Sequence, residues 1–170
     1  MKLPLLVITG AAGAGKTTAG RAIAADESNV LSLDGDVLAA GAAATLQRNF
    51  NGFWGYVVSI AEEIAQNGLA PLISCVCRPE QILSNDLSAF SRLSILAMTC
   101  DAEQRVQRAE ARPGQIGWRT MLEEHNAIDQ ALRSYEIADP HGFTVLDTTA
   151  IDAETATLRA RHWARGEAAV

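Results

Sequence analysis

The chain has 170 residues, 48% of them hydrophobic and 20% charged, and a formal charge of −6. That length suits a single α/β domain over residues 1–170 with a sheet covered on both faces, and the negative balance argues against nucleic acid or an anionic membrane as main partner. No apolar run nears the ~18–20 residues that span a bilayer, and Gly10 opens a loop too early for a signal peptide, so a cytoplasmic protein is expected.

The apolar run Leu3–Thr9 reads as the first strand. Residues 10–17, Gly-Ala-Ala-Gly-Ala-Gly-Lys-Thr, fit the pattern G-x-x-x-x-G-K-[ST] at every fixed position, and an Ala-rich helix is expected from Lys16 to about Asp26. A strand feeding a glycine loop and then a helix is the context in which this pattern binds phosphate. Gly10, Ala12, Gly13, Ala14, Gly15 and Thr18 are expected to surround the phosphates of ATP or another nucleoside triphosphate. The N-terminus of the helix adds its partial positive charge. Lys16 is expected to reach the β- and γ-phosphates, and the Thr17 hydroxyl to bind Mg²⁺. Only Lys2 and Lys16 are lysines among fourteen basic residues, which makes the placement of Lys16 hard to dismiss.

A second strand, Val30–Leu33, runs into Asp34-Gly35-Asp36. Ligands of open parallel sheets bind beyond the strand ends, and residues i and i+2 of an extended segment point the same way. Both carboxylates are therefore expected to face one site. One would hold Mg²⁺, and the other would orient or deprotonate an acceptor hydroxyl. Asp and Gly also make helix caps and turns, which is the plainer reading of the same string.

Helices are predicted from Val37 to about Arg48 and from Phe53 to Asn67, with Gly68 as C-terminal cap. Residues 37–67 are the expected acceptor-binding segment. Phe50, Phe53, Trp54 and Tyr56 cluster there, and a pocket wall and plain packing fit them equally. Arg48, Asn51 and Arg78 are the candidate polar contacts. Val57, Ile60 and Ile64 read as core.

Leu69–Val76 is the third strand, ending in Cys75-Val76-Cys77-Arg78. It lacks the acidic residue with which motor and AAA-type ATPases end this strand, and no Asn-Lys-x-Asp string of a GTPase occurs. Cys75, Cys77 and Cys100 lack C-x-x-C spacing and read as small buried residues, not as zinc or disulfide sites.

A short helix over Pro79–Phe90, a fourth strand over Leu93–Thr99 and a helix from Asp101 to about Ala111 follow. Arg105, Arg108 and Arg112 fall on one face of that last helix. With Glu103 and Glu110 they make either a solvated surface or the start of a lid over about residues 112–119, hinged at Arg112-Pro113-Gly114 and Gly117, with Arg119 beyond. A helix from about Trp118 to Arg133, a fifth strand over Phe143–Leu146 and a helix from Asp152 to about Arg165 close the chain. His125, His141 and His162 are scattered and read as surface or capping residues.

With these motifs the chain resembles the P-loop small-molecule and nucleotide kinases over nearly its whole length. Shikimate, gluconate and adenylyl-sulfate kinases place a D-x-D or a Leu-Asp-Gly-Asp string after the second strand. The strings Arg78-Pro79-Glu80-Gln81, Asp101-Ala102-Glu103, Arg112-Pro113 and Leu146-Asp147-Thr148-Thr149 are similar to those of small bacterial P-loop proteins such as chloramphenicol phosphotransferase and the tunicamycin-resistance proteins. The resemblance implies a P-loop NTPase fold with a five-stranded parallel sheet, helices on both faces and a small lid. It also implies ATP- and Mg²⁺-dependent phosphoryl transfer to a hydroxyl of a small molecule, an antibiotic or nucleoside-like compound among the options. Asp34 would then be the metal-side residue, Asp36 the acceptor-side base, Arg112 the first choice of phosphate clamp and Arg108 or Arg119 the second. Adenine would sit near Asp147-Thr148-Thr149. A nucleoside or nucleoside-monophosphate kinase and a nucleotide-binding regulatory ATPase module are the alternatives, and the protein is expected as a monomer or homodimer.

Overall fold

The computed structural model describes residues 2–42, 50–111, 121–135 and 142–168. In chain order these form β1 (Leu5–Thr9), α1 (Lys16–Asp26), β2 (Val30–Asp34), α2 (Gly35–Ala42), α3 (Phe50–Gln66) and β3 (Ala70–Cys75). Then come α4 (Pro79–Leu83), β4 (Leu93–Thr99), α5 (Ala102–Glu110), α6 (Leu122–Arg133), β5 (Gly142–Asp147) and α7 (Ala153–Ala168). The five strands make one parallel sheet in the order β2-β3-β1-β4-β5.

Continuous apolar strands such as Leu-Leu-Val-Ile form here because both faces of the sheet are covered. Successive side chains of β1 go to opposite faces. Leu6 and Ile8 join a cluster with Ala19 and Ile23 of α1 and Ala156, Ala160, Ala164 and Ala168 of α7. Leu5 and Val7 join a second cluster with Phe53, Trp54, Val57 and Ala61 of α3 and Ile82 of α4. The α7 alanines recur every four residues, so they line one stripe of the helix and let it lie close to the sheet. Arg161 and Arg165 of α7 reach Asp26 and Glu27 at the end of α1, at 3.0 and 2.5 Å.

Several element boundaries differ from expectation. The helix expected over residues 79–90 ends at Leu83, because Ser84 Oγ and Asn85 Nδ2 donate to the carbonyl of Gln81, at 3.2 and 2.8 Å. Ser, Asn and Asp side chains there compete with the helix for its own backbone. At its other end, α3 begins by Phe50 rather than Phe53. Helix α2 starts at Gly35 rather than Val37, with consequences for the site. Gly68 does follow α3 with φ +82°, and its amide donates to Ala65 O at 3.0 Å, as a C-terminal glycine cap does.

Parallel register brings the active ends together. Thr9 lies opposite Cys75 of β3 and Ala97 of β4, and Asp34 lies opposite Ser74. The loop after β1 and the carboxylate ending β2 therefore open at the same edge of the sheet, where α/β ligands bind. Among the described residues no helix is long and apolar enough to cross a membrane.

Candidate active site

The loop from Gly10 to Lys16 is built for close approach. Gly10 sits at φ +150°, where an added Cβ would lie 2.1 Å from the carbonyl oxygen of Met98. Gly15 caps α1 at φ +103° and supplies no side-chain acceptor to the first amides of the helix.

Lys16 is only 7% exposed. Its Nζ donates to Ala11 O at 3.1 Å, and among the described residues no carboxylate pairs with it at ion-pair distance. Burial lowers its pKa, opposed by the nearby charges of Asp36, Cys75, Cys77 and Asp34. A buried ammonium whose hydrogen-bond partner among the described residues is a carbonyl is costly, and an anion brought to it would offset that cost.

Thr17 Oγ1 donates to Asp34 Oδ2 at 3.4 Å. The other oxygen of Asp34 accepts from the amides of Asp36 and Val37, at 3.0 and 3.4 Å. Asp34 is therefore at once the cap of α2 and the partner of the loop hydroxyl, so the turn-and-cap reading of the Asp-Gly-Asp string holds. This geometry corrects the extended-segment argument. Asp36 lies in the first turn of α2, because Asp34 captures its amide and turns the chain, and the strand alternation of side chains does not apply. Asp36 is exposed and its charge still acts on Lys16.

A hydroxyl beside a carboxylate is a hard-oxygen donor set. Mg²⁺ takes few protein ligands and completes its octahedron with phosphate oxygens and water. Thr17 and Asp34 are a donor pair of that hard-oxygen kind, and among the described residues no group of three His, Cys, Asp or Glu is placed to hold a metal ion by itself.

Beside the loop lies an open cavity of about 340 Å³, lined by Gly13, Gly15, Thr18, Arg108, Ile151 and Thr157 among others. Arg108 is fixed as its wall. Its guanidinium donates to Thr148 O at 2.6 Å, Thr148 Oγ1 at 3.1 Å, Ile151 O at 3.3 Å and Gly13 O at 3.4 Å. Its edge is thus committed to the loop after β5 and the phosphate loop. Thr148 is buried, and its hydroxyl donates to Thr99 O at 3.0 Å.

Arg105 departs from the surface or lid reading. It is 3% exposed and donates to Cys100 O and Asn126 Oδ1 while pairing with Asp129 at 3.3 Å. Asp129 also accepts from the Cys100 amide at 2.9 Å and from Arg133 at 2.8 Å. Arg133 reaches on to Asp147 at 2.7 Å, and that contact holds the Asp147 carboxyl down at about 2. These bonds fasten α6 to the ends of β4 and β5.

His125 of α6 also departs from the surface reading. It is 7% exposed, and its Nδ1 accepts from the Ala12 amide of the phosphate loop at 3.1 Å. His162 is exposed, and His141 lies outside the described residues.

Phe53 and Trp54 are core residues, 7% and 5% exposed, in edge contact with ring centroids 5.0 Å apart. This corrects their reading as acceptor contacts, since little ring surface remains for a ligand. Val57 is buried, while Ile60 and Ile64 are half-buried. Arg78 is exposed just before α4, its amide donating to Gln81 Oε1 at 2.8 Å. Arg48, Arg112, Arg119 and the whole 112–119 lid segment lie outside the described residues, as does the side chain of Asn51. Cys75 and Cys77 are buried free thiols with sulfurs 3.3 Å apart, and Cys100 is buried too.

His125, Asp129 and Arg133 were not singled out by the sequence as a unit. Their i, i+4, i+8 spacing was the available signal. It sets three polar side chains beside Ile128 and Leu132, which pack with Ala97 of β4.

No protein-family model matches the chain, and no curated protein matches it in sequence. Solved structures match along nearly the whole chain. A sugar kinase from a Janibacter species shares 20% identity over 97% of this chain and 95% of its own, with TM-score 0.75. A gluconokinase from Sinorhizobium meliloti shares 16% over 96% and 93%, with TM-score 0.68. The tunicamycin resistance protein of Deinococcus radiodurans shares 13% over 95% of each chain, with TM-score 0.64. Together with the sheet order and the loop, these matches establish that the chain has the fold of the P-loop kinases.

Proposed function

We propose that this protein is an ATP- and Mg²⁺-dependent phosphotransferase that moves the γ-phosphoryl group to a hydroxyl of a small molecule. The observation that carries the proposal is the convergence of Lys16, the Thr17–Asp34 contact and the charge of Asp36 at one strand edge. Thr17 and Asp34 would hold Mg²⁺, which would supply charge neutralisation for the phosphates. Lys16 leaves Ala11 O and binds the β- and γ-phosphate oxygens, stabilising charge that builds up on them during transfer. Asp36 accepts the proton of the acceptor hydroxyl, or orients it. The cavity beside Arg108 receives the nucleoside. With the guanidinium edge tied to carbonyls, the face of Arg108 is left for stacking on a base.

Burial of Phe53 and Trp54 removes the support for an aromatic-walled acceptor pocket. Exposed Asp36 and Arg78 at the same edge suit a polar, hydroxyl-rich acceptor such as a sugar or sugar acid, in keeping with the sugar kinase and gluconokinase among the structural neighbours. Incubation with Mg-ATP and a panel of sugars, sugar acids, nucleosides and hydroxyl-bearing antibiotics, read by mass spectrometry, tests this. A product heavier by one phosphoryl group, lost on chelating Mg²⁺, supports the proposal. Product from a nucleoside or an antibiotic alone would overturn the acceptor class, and ATP binding without any product would favour a regulatory module.

A further inference from the structure

We infer that His125 is a positioning residue of the phosphate loop, holding its first half in place from α6 through the Ala12 amide, and that only its neutral form does so. The inference rests on the phosphotransferase reading of the site. It starts from a bond that spans 113 positions of the chain. Nδ1 of His125 accepts from Ala12 N at 3.1 Å, and the residue is 93% shielded from solvent. An imidazole that accepts at Nδ1 is neutral and carries its proton on Nε2, whereas an imidazolium donates at both nitrogens and has nothing to offer an amide.

The helix that holds the ring is itself fixed. One turn on, Asp129 accepts from the Cys100 amide at 2.9 Å and pairs with Arg105, while Ile128 and Leu132 pack with Ala97 of β4. His125 therefore transmits the position of β4 to the loop that follows β1. The charged groups around the ring are Lys16 of the loop, Asp36 of α2, Arg105 of α5 and Glu124 of its own helix. Burial is the largest influence on it and favours the neutral ring, and the Lys16 and Arg105 cations act in the same sense against Asp36 and Glu124. Binding of a polyphosphate requires the loop amides beyond Ala12 to converge, and an anchored Ala12 supplies that order before the ligand arrives.

Calorimetric titration of Mg-ATP into the wild type, His125→Asn and His125→Leu, from about pH 8 down to about pH 5, tests this. Asn places an amide oxygen near the Nδ1 position and does not titrate. The terminal phosphate of ATP titrates in the same range, so the readout is each affinity relative to His125→Asn at the same pH. The expected result is wild-type affinity equal to that of His125→Asn at the alkaline end and roughly three- to tenfold weaker once the ring is charged, the effect of one lost hydrogen bond. His125→Leu is expected to be weaker by the same factor at every pH. Equal affinity of His125→Asn and His125→Leu, or a wild-type ratio unmoved at a pH where the imidazole proton NMR shift shows the ring charged, would overturn the inference. No binding of Mg-ATP by the wild type at any pH would overturn the phosphotransferase reading and this inference together, and the wild-type arm alone identifies that case.

Discussion

Asp34 accepts from the Thr17 hydroxyl through Oδ2 and from the Asp36 and Val37 amides through Oδ1. One carboxylate thus joins the phosphate loop to the start of α2, and its two oxygens have separable jobs.

Asp34→Asn keeps an oxygen to cap α2 and loses the charge that would face Mg²⁺. It is expected to leave the unfolding free energy within about 0.5 kcal/mol of wild type while cutting Mg-ATP-dependent turnover by about a hundredfold or more. Asp34→Ala removes the cap as well and is expected to cost a further ~1 kcal/mol. Urea denaturation of both variants beside steady-state kinetics checks the split.

Lys16→Met is expected to abolish nucleotide binding and to stabilise the free protein by about 1 kcal/mol or more, because it removes a buried cation that has no carboxylate partner among the described residues. The sign follows from the lowered pKa. Between its native value and 10.5 the unfolded chain binds more protons than the native one, so stability rises with pH across that window. Below the window the penalty is present in full, and it is absent above 10.5. Thermal unfolding of both forms at neutral pH, without nucleotide, reads the difference.

Asp129→Ala leaves Arg105 buried without its counter-charge and the Cys100 amide without its acceptor. A loss of about 3–5 kcal/mol is expected. Asp129→Asn, which retains an acceptor for that amide, should fall between it and wild type in denaturant titrations.

Trp54→Phe removes an indole N–H that is buried without a hydrogen-bond partner among the described residues. Relief of that cost offsets the lost ring volume, so stability should change by no more than about 1 kcal/mol, with acceptor KM unaltered. Trp54→Ala opens a cavity in the core and is expected to cost about 3–5 kcal/mol. A rise in acceptor KM in the Phe variant, at unchanged stability, would restore the aromatic pocket wall.

The legible parts of this molecule are those set by local pattern. Leu5–Ile8 announced a strand buried on both faces, and the glycine spacing of residues 10–17 announced the loop, because period and backbone conformation are written in adjacent residues. Asp34 was legible as well, though its double role was not, since the cap of α2 and the bond to Thr17 compete as readings until the chain is folded. His125 and Arg105 were misread for a different reason. Their partners, Ala12 for one and Asn126 and Asp129 for the other, are supplied by distant segments, and a polar residue on a helix looks exposed until those partners are known. Phe53 and Trp54 show the converse, since aromatic clustering marks a core and a pocket wall alike.

The most direct test of the central claim is Asp36→Asn, with acceptor phosphorylation and Mg-ATP affinity measured on the same preparation. The phosphotransferase account predicts turnover lower by about 10²–10⁴ with ATP affinity within about twofold of wild type. Turnover that survives the substitution, or that falls only in proportion to lost ATP binding, would contradict the assignment of Asp36 to the acceptor hydroxyl.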